Sequence, residues 1–190
     1  MKLIIGFIVL WPLIGFLFNG LGRNIWSKKV IAYKATGYIV MSFVFSILAF
    51  LNVQSNGAAT VHYFDFINTA DFKIPFDLKV DALSSLFLLV ITGVGSLIHL
   101  YSTAYMNDEE APHYARYFAY LNLFVFSMLL LVLGDNYVIM FIGWEGVGLC
   151  SYLLIGYWFT NSTYNYAAKK AFIMNRIGDL GFLLAIFWLI

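Results

Sequence analysis

The sequence predicts an all-α integral membrane protein with about six transmembrane helices. Hydrophobic residues make up 62% of the 190 positions and charged residues only 11%, whereas soluble domains contain about 45–50% apolar and about 25% charged residues. The apolar residues fall in blocks, and about 20 helical residues are enough to cross a hydrocarbon core about 30 Å thick. The six blocks are Leu3–Leu21, Val30–Leu51, Ala82–Met106, Ala115–Leu133, Tyr137–Phe159 and Ala167–Ile190.

The first and last blocks need separate justification because they lie at the ends of the chain. The first apolar run is longer than the hydrophobic region of a signal peptide, about 7–15 residues, and no small-residue cleavage motif follows it. It is therefore predicted to be a retained helix. The last block reaches the final residue without a cap or a polar flank, which predicts that the chain is the N-terminal piece of a longer protein.

One long connection, Asn52–Asp81, separates the second and third blocks. It contains Asn56-Gly57, Pro75 and an alternating stretch from Thr60 to Phe66. Turn residues on either side of an alternating run are typical of a hairpin. This connection is therefore predicted to be a hairpin-like segment packed on the membrane surface.

The distribution of Lys and Arg predicts the orientation of the helices. These residues favour cytoplasmic connections, and alternate connections hold seven of them on one side and three on the other. The N-terminus and the long connection are therefore predicted to lie outside. The seven are Arg23, Lys28, Lys29, Lys34, Arg116, Lys169 and Lys170, and the three are Lys2, Lys73 and Lys79.

Glu145 is a carboxylate near the middle of the fifth block. A charged residue at a helix centre costs about 2.5–3.5 kcal/mol on insertion scales, and such residues usually mark a functional site. Burial opposes ionisation and a nearby cation favours it, so a buried Glu beside a basic partner is predicted to exchange a proton. The alternative is a Glu that only bonds a neighbouring helix. Gly143, Gly146 and Gly148 predict a close approach of helices around it.

The sixth block carries two opposite charges, Arg176 and Asp179. Residues three apart share a helix face and can pair, which reduces the cost of burying both. A purely structural pair is the alternative. Lys169 lies near the same stripe, while Lys170 lies about 100° away from it. Both lysines could instead extend to the membrane interface.

His99 lies in the third block, close to its predicted cytoplasmic end. A histidine changes its protonation near neutral pH, and histidines inside membranes often line proton paths. The sequence therefore indicates a relay residue, with a water-satisfied histidine as the alternative.

Composition excludes several other functions. The net charge of +1 gives no indication of nucleic-acid binding. Cys150 is the one cysteine, so the chain contains no disulfide framework. The sequence shows no metal-ligand spacing, nucleotide-binding loop or nucleophile triad.

Several segments between Asp81 and Asp179 carry a resemblance to a known family. The most specific is the run Gly143–Gly156 around Glu145. The others are Asp81–Ser84, Thr92–Ser102, Tyr105–Met106, Arg116–Phe124, Lys170–Phe172 and Asn175–Asp179. Through these residues the chain closely resembles the largest antiporter-like subunit of the proton-pumping NADH:quinone oxidoreductase, respiratory complex I (subunit L in bacteria, subunit five in mitochondria). The first 80 residues match that family only in their helix layout.

The resemblance implies a set of residues that take part in proton translocation. Glu145 matches a family glutamate that pairs with a lysine on a later helix, beyond this chain. Lys170, Arg176 and Asp179 match basic and acidic residues of the family's sixth helix, so the family pattern favours Lys170 over Lys169. The implied fold is a larger helical bundle, with residues 1–80 as two helices plus the external loop and residues 81–190 as the start of the antiporter-like domain.

The resemblance also implies partners and a location. The chain would act with other membrane-arm subunits of complex I in the lipid bilayer, as the proton-translocating part of an enzyme whose redox chemistry lies elsewhere. Flavin, iron–sulfur clusters and quinone would belong to partner subunits, because this chain has no cysteine cluster to ligate iron. A bacterial inner membrane is favoured over the mitochondrial one. The alternative function is the large subunit of a multisubunit cation/proton antiporter, and a structural scaffold without transport is the third possibility.

Overall fold

The computed structural model describes residues 1–69 and 73–189 and confirms the predicted helical membrane class. Among these residues, six helices are long and apolar enough to cross a membrane. Positions 70–72 of the predicted connection and Ile190 of the last block lie outside the described residues. In chain order the elements are α1 (Lys2–Leu21), α2 (Lys28–Asn56), β1 (Ala59–Asn68), β2 (Lys73–Val80), α3 (Ala82–Tyr105), α4 (Ala111–Leu133), α5 (Tyr137–Ile155) and α6 (Ser162–Leu189).

The core lies where the first four helices pack together. Helix α1 packs on α2 and α4, and α2 also packs on α3. Helix α5 lies against α4, and α6 lies against α5 at the edge of the molecule. Within the described residues α6 buries only Ala168, Asp179 and Ile186. Most of α6 therefore faces outward, and the burial of Asp179 is the exception.

Polar side chains fix the start of two helices. Asp81 accepts a hydrogen bond from the Ser84 amide at 2.8 Å, and the Ser84 hydroxyl in turn accepts one from the Asp81 amide. This reciprocal capping box satisfies amide groups that have no partner inside the helix. The hydrogen bond from the Ser84 amide also holds the pKa of Asp81 below its usual value. Asn136 caps α5 in a similar way through the amide of Ile139.

The predicted hairpin is confirmed in the described residues, and it covers one end of the helix bundle. Strands β1 and β2 pair antiparallel, with register shifts in the middle of β1. The Tyr63 hydroxyl donates to the carbonyl of Lys2 at 2.8 Å. The Asn136 side chain donates to the carbonyl of Pro75 at 2.8 Å. The hairpin therefore joins the start of α1 to the turn between α4 and α5.

The opposite end is closed by contacts between its loops. Lys28 Nζ donates to the carbonyl of Asn107 at 2.9 Å. Arg116 lies over the ring of Tyr157, whose hydroxyl donates to the carbonyl of His113 at 2.9 Å. Burial raises the pKa of Tyr157 to about 12, and the charge of Glu109 adds to this shift. This is the end that holds the larger group of Lys and Arg residues.

The orientation of the two ends is a prediction that thiol labelling can test. With Cys150 replaced by Ser, a Ser27→Cys variant of the full-length protein should react with an impermeant thiol reagent only from the cytoplasmic side. An Asn56→Cys variant should react only from outside, because Asn56 lies at the hairpin end and both positions are exposed. The opposite labelling pattern would reverse the orientation.

Candidate functional site

Glu145 of α5 forms an ion pair with Arg176 of α6. The guanidinium Nη1 contacts the carboxylate Oε2 directly. The Glu145 side chain is 22% exposed and the Arg176 side chain is 46% exposed, although both lie on helices long and apolar enough to span a membrane. Arg176 is therefore a basic partner for Glu145, the carboxylate whose position inside a membrane-spanning helix is energetically unfavourable.

Asp179 adds a second carboxylate to this pair. Its Oδ2 lies 4.0 Å from Arg176 Nη1, at the limit of an ion pair. Its Oδ1 accepts a hydrogen bond of 2.7 Å from the indole Nε1 of Trp144. The sequence predicts pairing between Arg176 and Asp179, and in the structure Arg176 lies closer to Glu145. We call these four residues (Trp144, Glu145, Arg176 and Asp179) the α5–α6 cluster.

The charges of the α5–α6 cluster do not balance when both carboxylates are ionised. One guanidinium then faces two carboxylates, and one negative charge is left over between two helices that are long and apolar enough to span a membrane. Uncompensated charge is expensive in such surroundings. A proton on one carboxylate, or a second cation, removes the excess.

The ring of Phe172 supports the arginine from one turn earlier on α6. The guanidinium carbon of Arg176 lies 4.7 Å from the centre of that ring. A cation over an aromatic face is stabilised by about 0.5–2 kcal/mol. The aromatic contact holds the guanidinium near α5 without consuming its hydrogen-bond donors.

The glycines near Glu145 pack α5 against α4 and not against α6. A Cβ atom on Gly143 would collide with the backbone of Leu131, and one on Gly146 would collide with Ser127. Close approach of helices is therefore confirmed for these two glycines. Gly148 has no such neighbour within 4 Å among the described residues. The tight α4–α5 contact leaves the other side of α5, with Glu145, free to face α6.

Lys170 and His99 lie apart from the α5–α6 cluster. Lys170 is exposed, as is Lys169, and neither makes an ion pair within 4.0 Å in the described part of the chain. His99 is fully buried between α3 and α4, where its ring lies 6.0 Å from that of Phe118. The roles of Lys170 and His99 in proton translocation stay predictions.

Trp144 is the member of the cluster that the sequence did not identify. An indole N–H usually finds an acceptor when the ring is buried or packed, and Trp144 directly precedes a membrane carboxylate. That adjacency is a weak signal, because neighbouring helix positions point in different directions. Only the packing of α5 on α6 places the indole against Asp179.

Comparison with known protein families covers both halves of the α3–α6 region. The family described as NADH-Ubiquinone oxidoreductase (complex I), chain 5 N-terminus, matches residues 66–118. The family described as NADH:quinone oxidoreductase/Mrp antiporter, TM, matches residues 134–190. NADH-quinone oxidoreductase subunit L of Escherichia coli (strain K12) is 44% identical over 183 residues, which cover 94% of this chain and 29% of that protein.

This chain belongs to the antiporter-like subunit L family. NADH-ubiquinone oxidoreductase chain 5 of Metridium senile is 43% identical over 176 residues, 92% of this chain and 29% of that protein. The chain thus spans less than a third of the length of these two relatives. The alignment with the E. coli protein includes most of the first 80 residues, where the sequence alone indicated only a shared helix layout.

Solved structures show the same fold as this subunit L family member. The membrane-bound sulfane sulfur reductase, an archaeal respiratory membrane complex, contains a chain with a TM-score of 0.79 at 20% identity. That likeness covers 95% of this chain and 35% of the other. The Mrp complex from Dietzia sp. DQ12-45-1b gives a TM-score of 0.71 at 22% identity, over 97% of this chain and 18% of the other.

The matched regions contain all the predicted site residues of this subunit L family member. The second region includes the whole α5–α6 cluster and Lys170, and the first includes His99. The predicted division after residue 80 does not coincide with either boundary, and it stays a prediction.

Proposed function

We propose that this chain is part of a membrane-arm subunit of a proton-pumping NADH:quinone oxidoreductase, and that the α5–α6 cluster takes part in proton translocation. The observation that carries the proposal is the ion pair between Glu145 and Arg176, with Asp179 near the same guanidinium. Charged side chains inside a membrane-spanning helix are energetically unfavourable, and they usually belong to an ion or proton path. The names of the curated relatives, subunit L and chain 5, support the assignment to complex I.

Protonation of Glu145 is coupled to the position of Arg176 in this proposal. With the guanidinium against Glu145, that carboxylate is ionised. When the guanidinium moves towards Asp179, now 4.0 Å away, Glu145 loses its counter-charge and takes up a proton. The return of Arg176 expels that proton. Trp144 supports the exchange because its N–H stabilises Asp179 while the arginine is away.

The remaining predicted residues have places in the same proposal. Lys170 on the outward face of α6, at the more basic end of the chain, would pass the proton between the cluster and water. His99 would relay protons within the α1–α4 core. Electron transfer from NADH to quinone, with its flavin and iron–sulfur clusters, would occur in partner subunits of the membrane-bound complex. We propose a bacterial inner membrane as the location, which the bacterial relatives support.

The second candidate function is the large subunit of a multisubunit cation/proton antiporter. The description of the family that matches residues 134–190 names both kinds of protein. The likeness to the Mrp complex is at 22% identity and concerns the fold, whereas relatives named subunit L reach 44% identity over 94% of the chain. The identity of the relatives therefore favours complex I.

Purification through a tag on the full-length subunit separates the two functions. We expect the tagged subunit to bring with it NADH:quinone oxidoreductase activity, and vesicles containing the purified complex should take up protons when NADH is added. A complex that exchanges sodium for protons and does not oxidise NADH would assign the chain to the antiporters. An untagged strain carried through the same purification is the control for adventitious enzyme.

A further inference from the structure

An apolar groove of about 460 Å³ lies between α2 and α3, towards the more basic end of the bundle. Its volume is within the range of ligand sites, about 300–1,000 Å³. The Thr103 hydroxyl donates to the carbonyl of Leu100 within its own helix at 2.7 Å, so it needs no partner in the groove. The lining includes Tyr33, Thr36, Gly37 and Val40 of α2 and Leu100 and Thr103 of α3.

The groove is a local gap between two helices that otherwise pack closely. Just beyond Val40, a Cβ atom on Gly93 of α3 would lie 3.0 Å from the ring of Phe43 of α2. A Cβ atom on Gly37, by contrast, would meet no described atom within 4 Å. From Lys29 to Val40, α2 rises about 16 Å, which is about half of a hydrocarbon core about 30 Å thick. The groove therefore has the depth of one leaflet.

Exposed tyrosines surround the other end of the groove. Tyr33 is 83% exposed, and Tyr101 and Tyr105 of α3 are 67% and 57% exposed. The rings of Tyr101 and Tyr105 stack with their centres 5.7 Å apart. Tyrosine is enriched where a membrane meets water. This end of the groove therefore lies at the level of the lipid headgroups.

Two lysines follow at the same end. Lys29 precedes Tyr33 by one helical turn and Thr36 by two, so it lies on the stripe of α2 that lines the groove. Lys28 Nζ donates to the carbonyl of Asn107 at 2.9 Å, which holds it beside the end of α3. An ammonium has three donors, so Lys28 keeps two. Among the described residues, neither lysine has a carboxylate within 4.0 Å, unlike Lys73 and Lys79 at the hairpin end.

We propose that this groove binds one acyl chain of an anionic phospholipid, with the lipid phosphate on Lys28 and Lys29. The apolar lining matches the chain, and the two unpaired ammonium groups match the phosphate. Basic pockets between membrane helices commonly bind anionic headgroups. A protein helix fits less well, because a cylinder about 10 Å across and 16 Å long occupies roughly 1,200 Å³, more than twice the volume of the groove.

Electron cryomicroscopy maps of the assembled complex in lipid nanodiscs test this site. In discs of phosphatidylglycerol we expect chain-shaped density along the groove and a headgroup peak within about 2.7–3.2 Å of Lys29 Nζ. In discs of phosphatidylcholine the headgroup peak should be lost, because the choline group offsets the charge of the phosphate.

Two variants separate the headgroup contact from the chain contact. In mixed discs, Lys29→Gln should need about fivefold more phosphatidylglycerol for the same headgroup occupancy, which is the contribution of one lysine near an anionic surface. Gly37→Leu should fill the groove and remove the chain density without a collision. The matched controls are Lys79→Gln at the hairpin end and Val44→Leu, which adds bulk to an exposed position of α2 outside the groove. Both controls should keep the lipid.

The pair of wild-type maps decides the proposal if Gly37→Leu does not assemble. A protein segment in the groove, an empty groove, a chain that passes outside it, or equal headgroup density in both lipids would each overturn the proposal. None of these outcomes bears on the proposed function, which is judged by proton uptake and NADH oxidation. The two proposals therefore fail separately.

Discussion

Replacement of Glu145 by Gln should reduce proton translocation by the full complex about tenfold or more, while the complex still assembles. Gln keeps the volume and some of the hydrogen bonding, but it cannot titrate and cannot form the ion pair seen with Arg176. A positioned acid–base group commonly contributes a factor of about 10²–10⁴ to the step it serves. Glu145→Asp should retain more activity, because it keeps the charge and shortens the side chain by one methylene.

Proton uptake into vesicles that contain the assembled complex is the measurement. Subunit content and NADH-to-quinone turnover are followed in parallel, and turnover should fall with pumping if the two are tightly coupled. Glu110→Gln is the matched control, because it makes the same chemical change at an exposed loop position. Normal pumping by a fully assembled Glu145→Gln complex would show that this carboxylate is structural.

Removal of Arg176 should lower assembly more than removal of either carboxylate. Arg176→Gln leaves both Glu145 and Asp179 without their shared cation. An unpaired charge at the centre of a membrane-spanning helix costs about 2.5–3.5 kcal/mol on insertion scales. The double variant Arg176→Gln with Glu145→Gln should recover assembly, because Asp179 keeps its hydrogen bond from Trp144. That double variant should still fail to pump.

A second double variant separates the observed pairing from the one that the sequence predicts. Arg176→Gln with Asp179→Asn should recover less, because it leaves Glu145 uncompensated. The readouts are the amount of intact complex on native gels and its melting temperature. Arg23→Gln serves as the control, since Arg23 lies exposed in the α1–α2 loop and surface changes usually stay within about 0.5 kcal/mol. Better recovery with Asp179→Asn than with Glu145→Gln would favour the pair within α6.

Hydropathy predicts the membrane-spanning part of each helix and misses the polar turns beyond it. The sixth block begins at Ala167, whereas α6 begins at Ser162, where the side chain of Asn161 accepts from the Thr163 amide. The fourth block begins at Ala115, whereas α4 begins at Ala111, with a proline in its first turn. Capping and backbone geometry set these boundaries, and neither contributes to an apolar average.

The sequence predicts the candidate site only in part, because a helical wheel shows which residues of one helix share a face and does not show which residues of two helices meet. The spacing of Arg176 and Asp179 identifies them as neighbours, and the cost of a membrane charge identifies Glu145. The contact between Arg176 and Glu145 depends on how α6 packs on α5, which no periodicity encodes. The same packing, and not a sequence motif, pairs Trp144 with Asp179.

The hairpin at one end of the bundle cannot complete its hydrogen bonds until later parts of the chain have been synthesised. Its second strand bonds to the α4–α5 turn, through a bridge between Leu78 and Gly134 and through the Asp135 amide, which donates to Asp77. These partners are made more than fifty residues after β2 ends, several seconds later at roughly 5–20 residues per second. Until α4 and α5 have been inserted, the edge of β2 that faces away from β1 lacks these partners. A defect in those late helices therefore leaves an early strand exposed, where proteases and chaperones can recognise the unfinished subunit.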